Sequence, residues 1–270
     1  MISKLSSARK LRAIVIGTVS VAALITVFAQ MTHAQDMPVA KPAETATMDE
    51  TSVRRIVEDV IRSRPELIAE VLNKYFEEQR RTAEANKQRG YDNLESAFFG
   101  DGQLPYVGAK DAPIEVVYFY DINCPHCKRM GQVIQRVMRE RDDVKIVHRE
   151  IPILGPESVY AARLEEATWL LYPEHYKDFN EQLKAFPERL DAPGVDQILA
   201  EVVGAEKAEE IKASILENSK AQDQINDNLA LANQAGINGT PFLKIRGGRA
   251  FEGAVDYETF TAALNEAAKQ

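Results

Sequence analysis

Cysteine is almost absent from this sequence: two thiols in 270 residues, Cys124 and Cys127, with two residues between them. So few cysteines exclude a disulfide-stapled scaffold, and a closed zinc site would need two more ligands at recognisable spacing. A ring closed over two residues constrains the unfolded chain very little, so the pair is a poor staple and its spacing points to redox work. Other signatures are missing as well. There is no phosphate loop, no paired catalytic carboxylates and no Ser-His-Asp pattern, and nothing calls for a cofactor or a metal. A basic surplus is lacking too, because the net charge is −8. An acidic chain does not track phosphates through a basic patch, so no nucleic-acid partner is expected.

Acidic residues are missing from the first 34 positions, which carry Lys4, Arg9, Lys10 and Arg12, then an apolar run from Ala13 to Ala29, then Thr32, His33 and Ala34. This is the order of a secretory signal cut after Ala34, and it places the mature protein in the periplasm. The alternative is an uncleaved membrane anchor. Loss of those four bases with no acid takes the net charge from −8 to −12. No cysteine lies near the cut, which argues against an acylated lipoprotein.

Residues 35–47 are Pro-, Ala- and Thr-rich without periodicity and read as a flexible lead-in. A helical amino-terminal module follows over residues 48–99. Val53, Ile56, Val57, Val60 and Ile61 share one helical face, Ser63 with Glu66 offers a capping box around Pro65, and Leu67, Ile68, Val71, Leu72, Tyr75 and Phe76 continue the stripe. The polar stretch Glu77–Arg89 is expected to end at Gly90. Such a module is too short to bury its stripes alone. Residues 48–98 therefore pack on the rest of the chain or on another copy, making a homo-oligomer.

Gly100 to Pro113, with three Gly and two Pro, reads as a boundary and entry turn. Ile114–Tyr120 is an apolar strand feeding a helix through Val133, Ile134, Val137 and Met138, and Val144–Ile151 closes a β-α-β unit with a parallel pair. Residues 156–234 then turn helical in four segments: Ser158–Leu171, Tyr176–Leu183, Val195–Val203 and Ala205–Gln234. Phe242–Ile245 and Arg249–Glu252 flank a Gly-Gly turn as a hairpin before a last helix over Tyr257–Ala268. The fold class is α/β, with a helical subdomain inserted in it and the helical module in front.

Cys124 stands at the strand-to-helix junction, where unpaired N–H groups and a partial positive charge favour a thiolate. Cys124 is thus the expected nucleophile and Cys127, one turn on, the resolving thiol. Pro125 and His126 between them set the redox poise. A donor near the Cys124 sulfur lowers its pKa, favours the reduced form and makes the disulfide a stronger oxidant.

The segments YFYDINCPHCKRM (Tyr118–Met130), GPESVYAAR (Gly155–Arg163) and GINGTPF (Gly236–Phe242) resemble the DsbA family of exported thiol-disulfide oxidoreductases. The resemblance implies a thioredoxin-like fold over residues 105–270, a cis Pro241 facing the cysteines, and a Thr240 backbone that pairs with an extended substrate. The amino-terminal helices are similar to the self-association segment of the ScsC branch. One position departs: relatives often carry a buried acid six residues before the first cysteine, where this chain has Tyr118. Glu115 and Asp121 lie nearby, but strand alternation makes neither an equivalent, and Asp121 reads as a turn residue. His148 and His175 read as satisfied structural histidines, and Trp169, Phe179 and Leu183 as packing.

The expected function is disulfide formation or reshuffling in cysteine-containing exported proteins, with a separate redox partner resetting the pair. CPHC favours an oxidase, while self-association and Thr240 favour an isomerase. The alternative from a different class is a binding protein holding Cu(I) between the two thiolates.

Overall fold

A computed structural model describes residues 48–269, so the expected leader at 1–34 and lead-in at 35–47 lie outside the described residues. The described residues fall into two units, divided after Ile68. No helix among the described residues is long and apolar enough to cross a membrane.

The described part of the first unit is helix α1 (Glu50–Ser63) and the first turn of α2 (Pro65–Asn93). Asp49 caps α1 by accepting the Ser52 N–H at 2.8 Å. The capping box expected at Ser63 does not form. Its hydroxyl donates back to the Asp59 carbonyl at 2.6 Å, so Ser63 closes α1 rather than opening α2. Val53, Ile56, Val57, Val60 and Ile61 are all exposed.

In the second unit α2 runs past Gly90 to Asn93, three residues beyond the stop expected there. Burial of Tyr91, which is 2% exposed, outweighs the roughly 1 kcal/mol that one helical glycine costs. Helix α3 (Glu95–Phe99) follows and buries Phe98 and Phe99. The segment expected to be an entry turn contains strand β1 (Tyr106–Gly108), a three-residue edge too short to show alternation.

Strand β2 (Ile114–Tyr120), helix α4 (Pro125–Glu140) and β3 (Val144–Glu150) form the expected unit, with Val116 opposite Ile146 and Tyr118 opposite His148 in a parallel pair. From Val116 to Tyr120 β2 is wholly buried, because packed layers cover both of its faces. The helical block is α5 (Pro156–Leu171), α6 (Pro173–Ala185), α7 (Ala192–Val203), α8 (Ala205–Glu217) and α9 (Lys220–Gln234). The single helix expected from Ala205 to Gln234 is two, because the backbone turns extended at Asn218. Pro156, Pro173 and Pro193 all sit in first turns, where a proline loses no hydrogen bond.

Strand β4 (Phe242–Ile245) pairs antiparallel with β2, β5 (Ala250–Glu252) pairs with β4, and α10 (Tyr257–Ala267) ends the described chain. The sheet order is β1-β3-β2-β4-β5. Alternation divides the core in two. Val116, Tyr118, Tyr120, Ile146 and Leu243 face the layer that contains α4, whereas Val117, Phe119, Val147 and Phe242 face Tyr91, Phe98 and Leu231.

Candidate active site

The turn between β2 and α4 is fixed by side chains that make donors and acceptors meet. The Asp121 carboxylate accepts the N–H of Asn123 at 2.8 Å, the Ser158 hydroxyl at 2.9 Å and the Leu154 N–H at 2.9 Å. Asn123 in turn accepts the Leu190 N–H at 2.8 Å. A buried carboxylate with three donors is satisfied, which makes Asp121 the turn residue the sequence suggests. Through Ser158, Leu154 and Leu190 the helical block holds the turn that precedes Cys124.

Cys124 is the N-cap of α4 and Pro125 occupies its first turn. Both cysteines are free thiols. Cys124 is 6% exposed and Cys127 is fully buried. The Cys124 pKa is pushed down to about 5, first by the Cys127 side chain, then against the cost of burial by Thr240 and by the backbone N–H groups of Cys127 and His126. Cys127 is pushed up, chiefly by burial and next by its hydrogen bond to Cys124. One thiol is thus ready as the thiolate and the other is kept protonated.

His126 departs from the expectation in one detail. Its contribution to Cys124 is a backbone N–H, while its ring Nδ1 meets the Arg129 guanidinium. The Thr240–Pro241 peptide bond is cis, and the Thr240 carbonyl lies 3.5 Å from Cys124 Sγ. So Cys124, Cys127, Pro125, His126, Thr240 and Pro241, spread over more than a hundred residues of sequence, come together at one end of β2.

Beside the α4 N-terminus lies a groove of about 600 Å³, lined by Pro125, Lys128, Arg129, Leu154, Phe186 and Arg189 among others. Lys128 closes part of its wall by donating to the Phe186 carbonyl at 2.6 Å.

Beneath the cysteines is a polar cluster that no sequence motif announces. The Tyr118 hydroxyl donates to the Cys127 carbonyl at 3.1 Å, and the Tyr118 and Tyr120 rings stack with centroids 4.9 Å apart. Tyr120 OH accepts from Asn180 at 2.9 Å and donates to Glu165 at 3.3 Å. His148 shares a 2.7 Å hydrogen bond with Tyr176, but its Nε2 has no partner among the described residues. The expectation of a satisfied His148 is therefore half met, and burial pushes its pKa well down, so it stays neutral. Neither oxygen of Glu150 finds a donor among the described residues. Burial, then the Glu165 charge, raises its pKa well above the usual carboxylate range, so Glu150 keeps its proton. The signal available in the sequence was only an Asn and a Lys four apart on one helix, Asn180 and Lys184, with no mark of what they face.

A family model described as thioredoxin matches residues 101–266. Disulfide bond formation protein D of Bacillus subtilis is 27% identical over 175 residues, covering 61% of this chain and 77% of that protein. The structure of Proteus mirabilis ScsC in a transitional conformation superposes with a TM-score of 0.61 at 27% identity, over 82% of this chain and 98% of that one. The thiol-disulfide exchange protein α-DsbA2 of Wolbachia pipientis gives a TM-score of 0.63 at 26% identity, over 68% and 97%. The likeness to DsbA and ScsC proteins read from the CPHC and GTP segments is thus met by whole-domain similarity.

Proposed function

The chain belongs to the thioredoxin family and is a thiol-disulfide oxidoreductase, and we propose that it forms or reshuffles disulfides in exported proteins through Cys124 and Cys127. The observation that carries this reading is the asymmetry of the pair: a Cys124 thiol pushed down to about 5 beside a buried Cys127 pushed up. A substrate thiolate attacks Cys124 of the disulfide, and a second substrate thiol then displaces Cys124. Cys124 leaves readily because its thiolate is stabilised, which makes the enzyme disulfide oxidising. Cys127 resolves mixed disulfides, Pro125 and His126 tune the pair, and Thr240 with Pro241 receives the substrate backbone. The 3.5 Å approach of the Thr240 carbonyl to Cys124 Sγ supports that last role.

The working enzyme is placed in the periplasm, with residues 1–34 as leader, 35–47 as lead-in, 48–99 as helical module and 105–270 as catalytic domain. A separate redox protein resets the pair. Oxidation is the first reading. Reshuffling is the second, favoured by one observation: Val53, Ile56, Val57, Val60, Ile61, Val71, Leu72, Tyr75 and Phe76 are all exposed, which suits self-association through residues 48–98. Incubation with reduced, unfolded ribonuclease tests the reading. The oxidised wild type restores activity and Cys124→Ser restores none, while Cys127→Ser, whose Cys124 attacks the disulfides of scrambled ribonuclease with no second thiol to release it, accumulates a trapped mixed disulfide. Equal rates for wild type and Cys124→Ser would sink it. Scrambled ribonuclease without oxidant separates reshuffling, which recovers activity there, from oxidation alone, which does not.

A further inference from the structure

One buried charge has no part in the exchange chemistry above: the ammonium of Lys184 on α6, a residue only 5% exposed. Its hydrogen-bond acceptor is the neutral Asn180 Oδ1 at 2.7 Å, and among the described residues no carboxylate lies within ion-pair distance. Lys244 shows how the same chain holds a buried lysine that serves the fold, for it meets Asp92 at 3.1 Å and Glu95 at 2.9 Å. Lys184 forms no such ion pair, and although the Glu165 charge acts on it, its ammonium is left free to serve a second group.

The placement points at the cysteines. Lys184 Nζ lies 4.0 Å from the centroid of the Tyr120 ring and 4.9 Å from that of Tyr118, whose hydroxyl donates to the main-chain carbonyl of Cys127. Its stem passes α4 where that helix carries no side chain: a Cβ on Gly131 would stand 3.2 Å from Lys184 Cδ. The helix that bears the cysteines therefore leaves the gap through which the ammonium reaches the underside of the site.

We propose that Lys184 is a positioning residue for the exchange, its ammonium compensating the negative charge that Cys127 carries as it leaves the disulfide. The inference rests on the thiol-disulfide reading. In the step concerned the substrate sulfur bonds to Cys124 Sγ, the Cys124–Cys127 bond breaks, and the bonding pair stays on Cys127 Sγ. The proton that the substrate thiol lost ends on Cys127. Between those two events a thiolate exists in a buried place, where desolvation opposes it and a nearby cation offsets the cost.

The groups facing Lys184 fit that role. They are Cys127 on α4, Tyr118 and Tyr120 on β2, the neutral His148 and protonated Glu150 on β3, and Glu165 and Glu166 on α5. Glu181 is on its own helix, and Lys128 of α4 lines the same groove. Burial pushes the Lys184 pKa down to about 8 against the opposing charge of Glu165, so it is charged at neutral pH and loses its proton above that value.

The test is the rate at which dithiothreitol reduces the oxidised full-length protein, followed by alkylation of released thiols from pH 6 to 10. Lys184→Met keeps the stem and removes the charge. The ratio of wild-type to variant rate is expected to be about tenfold below pH 8 and to approach one above it, as the wild-type ammonium deprotonates. A ratio of one at pH 7, or a deficit that does not change with pH, overturns the proposal. If Lys184→Met does not fold, Gly131→Ala, which crowds the stem and keeps the charge, is expected to slow reduction below pH 8; an unchanged rate there overturns it too. A wild type that does not exchange at all overturns both readings, whereas a wild type that exchanges no faster than these variants overturns this one alone.

Discussion

The two faces of the sheet bury ionisable side chains in opposite ways. On the face packed by Tyr91 and Phe98, Arg149 donates to the Phe98 carbonyl at 2.7 Å, the Ala97 carbonyl at 2.5 Å and Asn228 at 2.8 Å, and Lys244 meets two carboxylates. On the face packed by α4, Glu150 has no donor among the described residues, His148 Nε2 has no partner there, and Lys184 has one neutral acceptor. Satisfied buried charges specify a fold, and incompletely satisfied ones cost stability. The cost lies beneath the cysteines, which is where proton and charge balance shift during exchange.

That contrast is open to direct challenge. The largest effect is expected from Phe98→Ala, which empties a fully buried site in contact with Phe119 and Phe242 and costs about 3–5 kcal/mol in urea unfolding. Exchange by the fraction that stays folded is unchanged; a selective loss of exchange would tie this face to the chemistry. Arg149→Met comes next, at about 2–3 kcal/mol, because two backbone carbonyls and Asn228 lose their donor. A cost below about 0.5 kcal/mol would remove the claim that this face is held by satisfied charge.

The active-site face predicts a pH effect. Glu150 and Glu166 have folded-state pKa values above the ordinary carboxylate value, Glu166 up to about 8, chiefly through burial. The folded protein therefore binds more protons than the unfolded chain between about pH 4.5 and 8, and stability falls as pH rises through that window. In the oxidised protein the two carboxylates set the sign, since a reduced Cys124 with a pKa lowered to about 5 would contribute the opposite slope up to its ordinary value of 9.0, and the one buried neutral His148 opposes them only below its ordinary 6.5. Urea midpoints at pH 5 and pH 8 measure it, and a higher midpoint at pH 8 would contradict it. The smallest effect is Glu150→Gln, within about 1 kcal/mol at pH 5, where both groups are neutral, and stabilising at pH 8, where only the acid is under pressure to ionise. A large loss at pH 5 would mean that Glu150 is structural.

Much of the site was legible because its signals are local. An apolar strand, a Cys-Pro pair at a helix start and a Thr-Pro before a hairpin each read within a dozen residues, and the structure brings them together as expected. β1 escaped because three residues carry no period, and α2 outran Gly90 because Tyr91 packs against Phe242, which lies far along the chain. The cluster of Glu150, Glu165, Asn180 and Lys184 escaped for a related reason. A helix pattern marks which face is buried, and it does not mark which buried polar side chains meet.

The sequence by itself determined the dithiol, its position at the head of α4, the β-α-β order, the helical insertion and the Thr-Pro strand, because propensity, capping and turn chemistry act over short stretches. Only the tertiary structure decided how the two cysteines are told apart and what lies beneath them. Desolvation and charge depend on neighbours contributed by different elements, and Lys184, fifty-seven positions after Cys127, becomes a neighbour of that site only when α6 packs against α4.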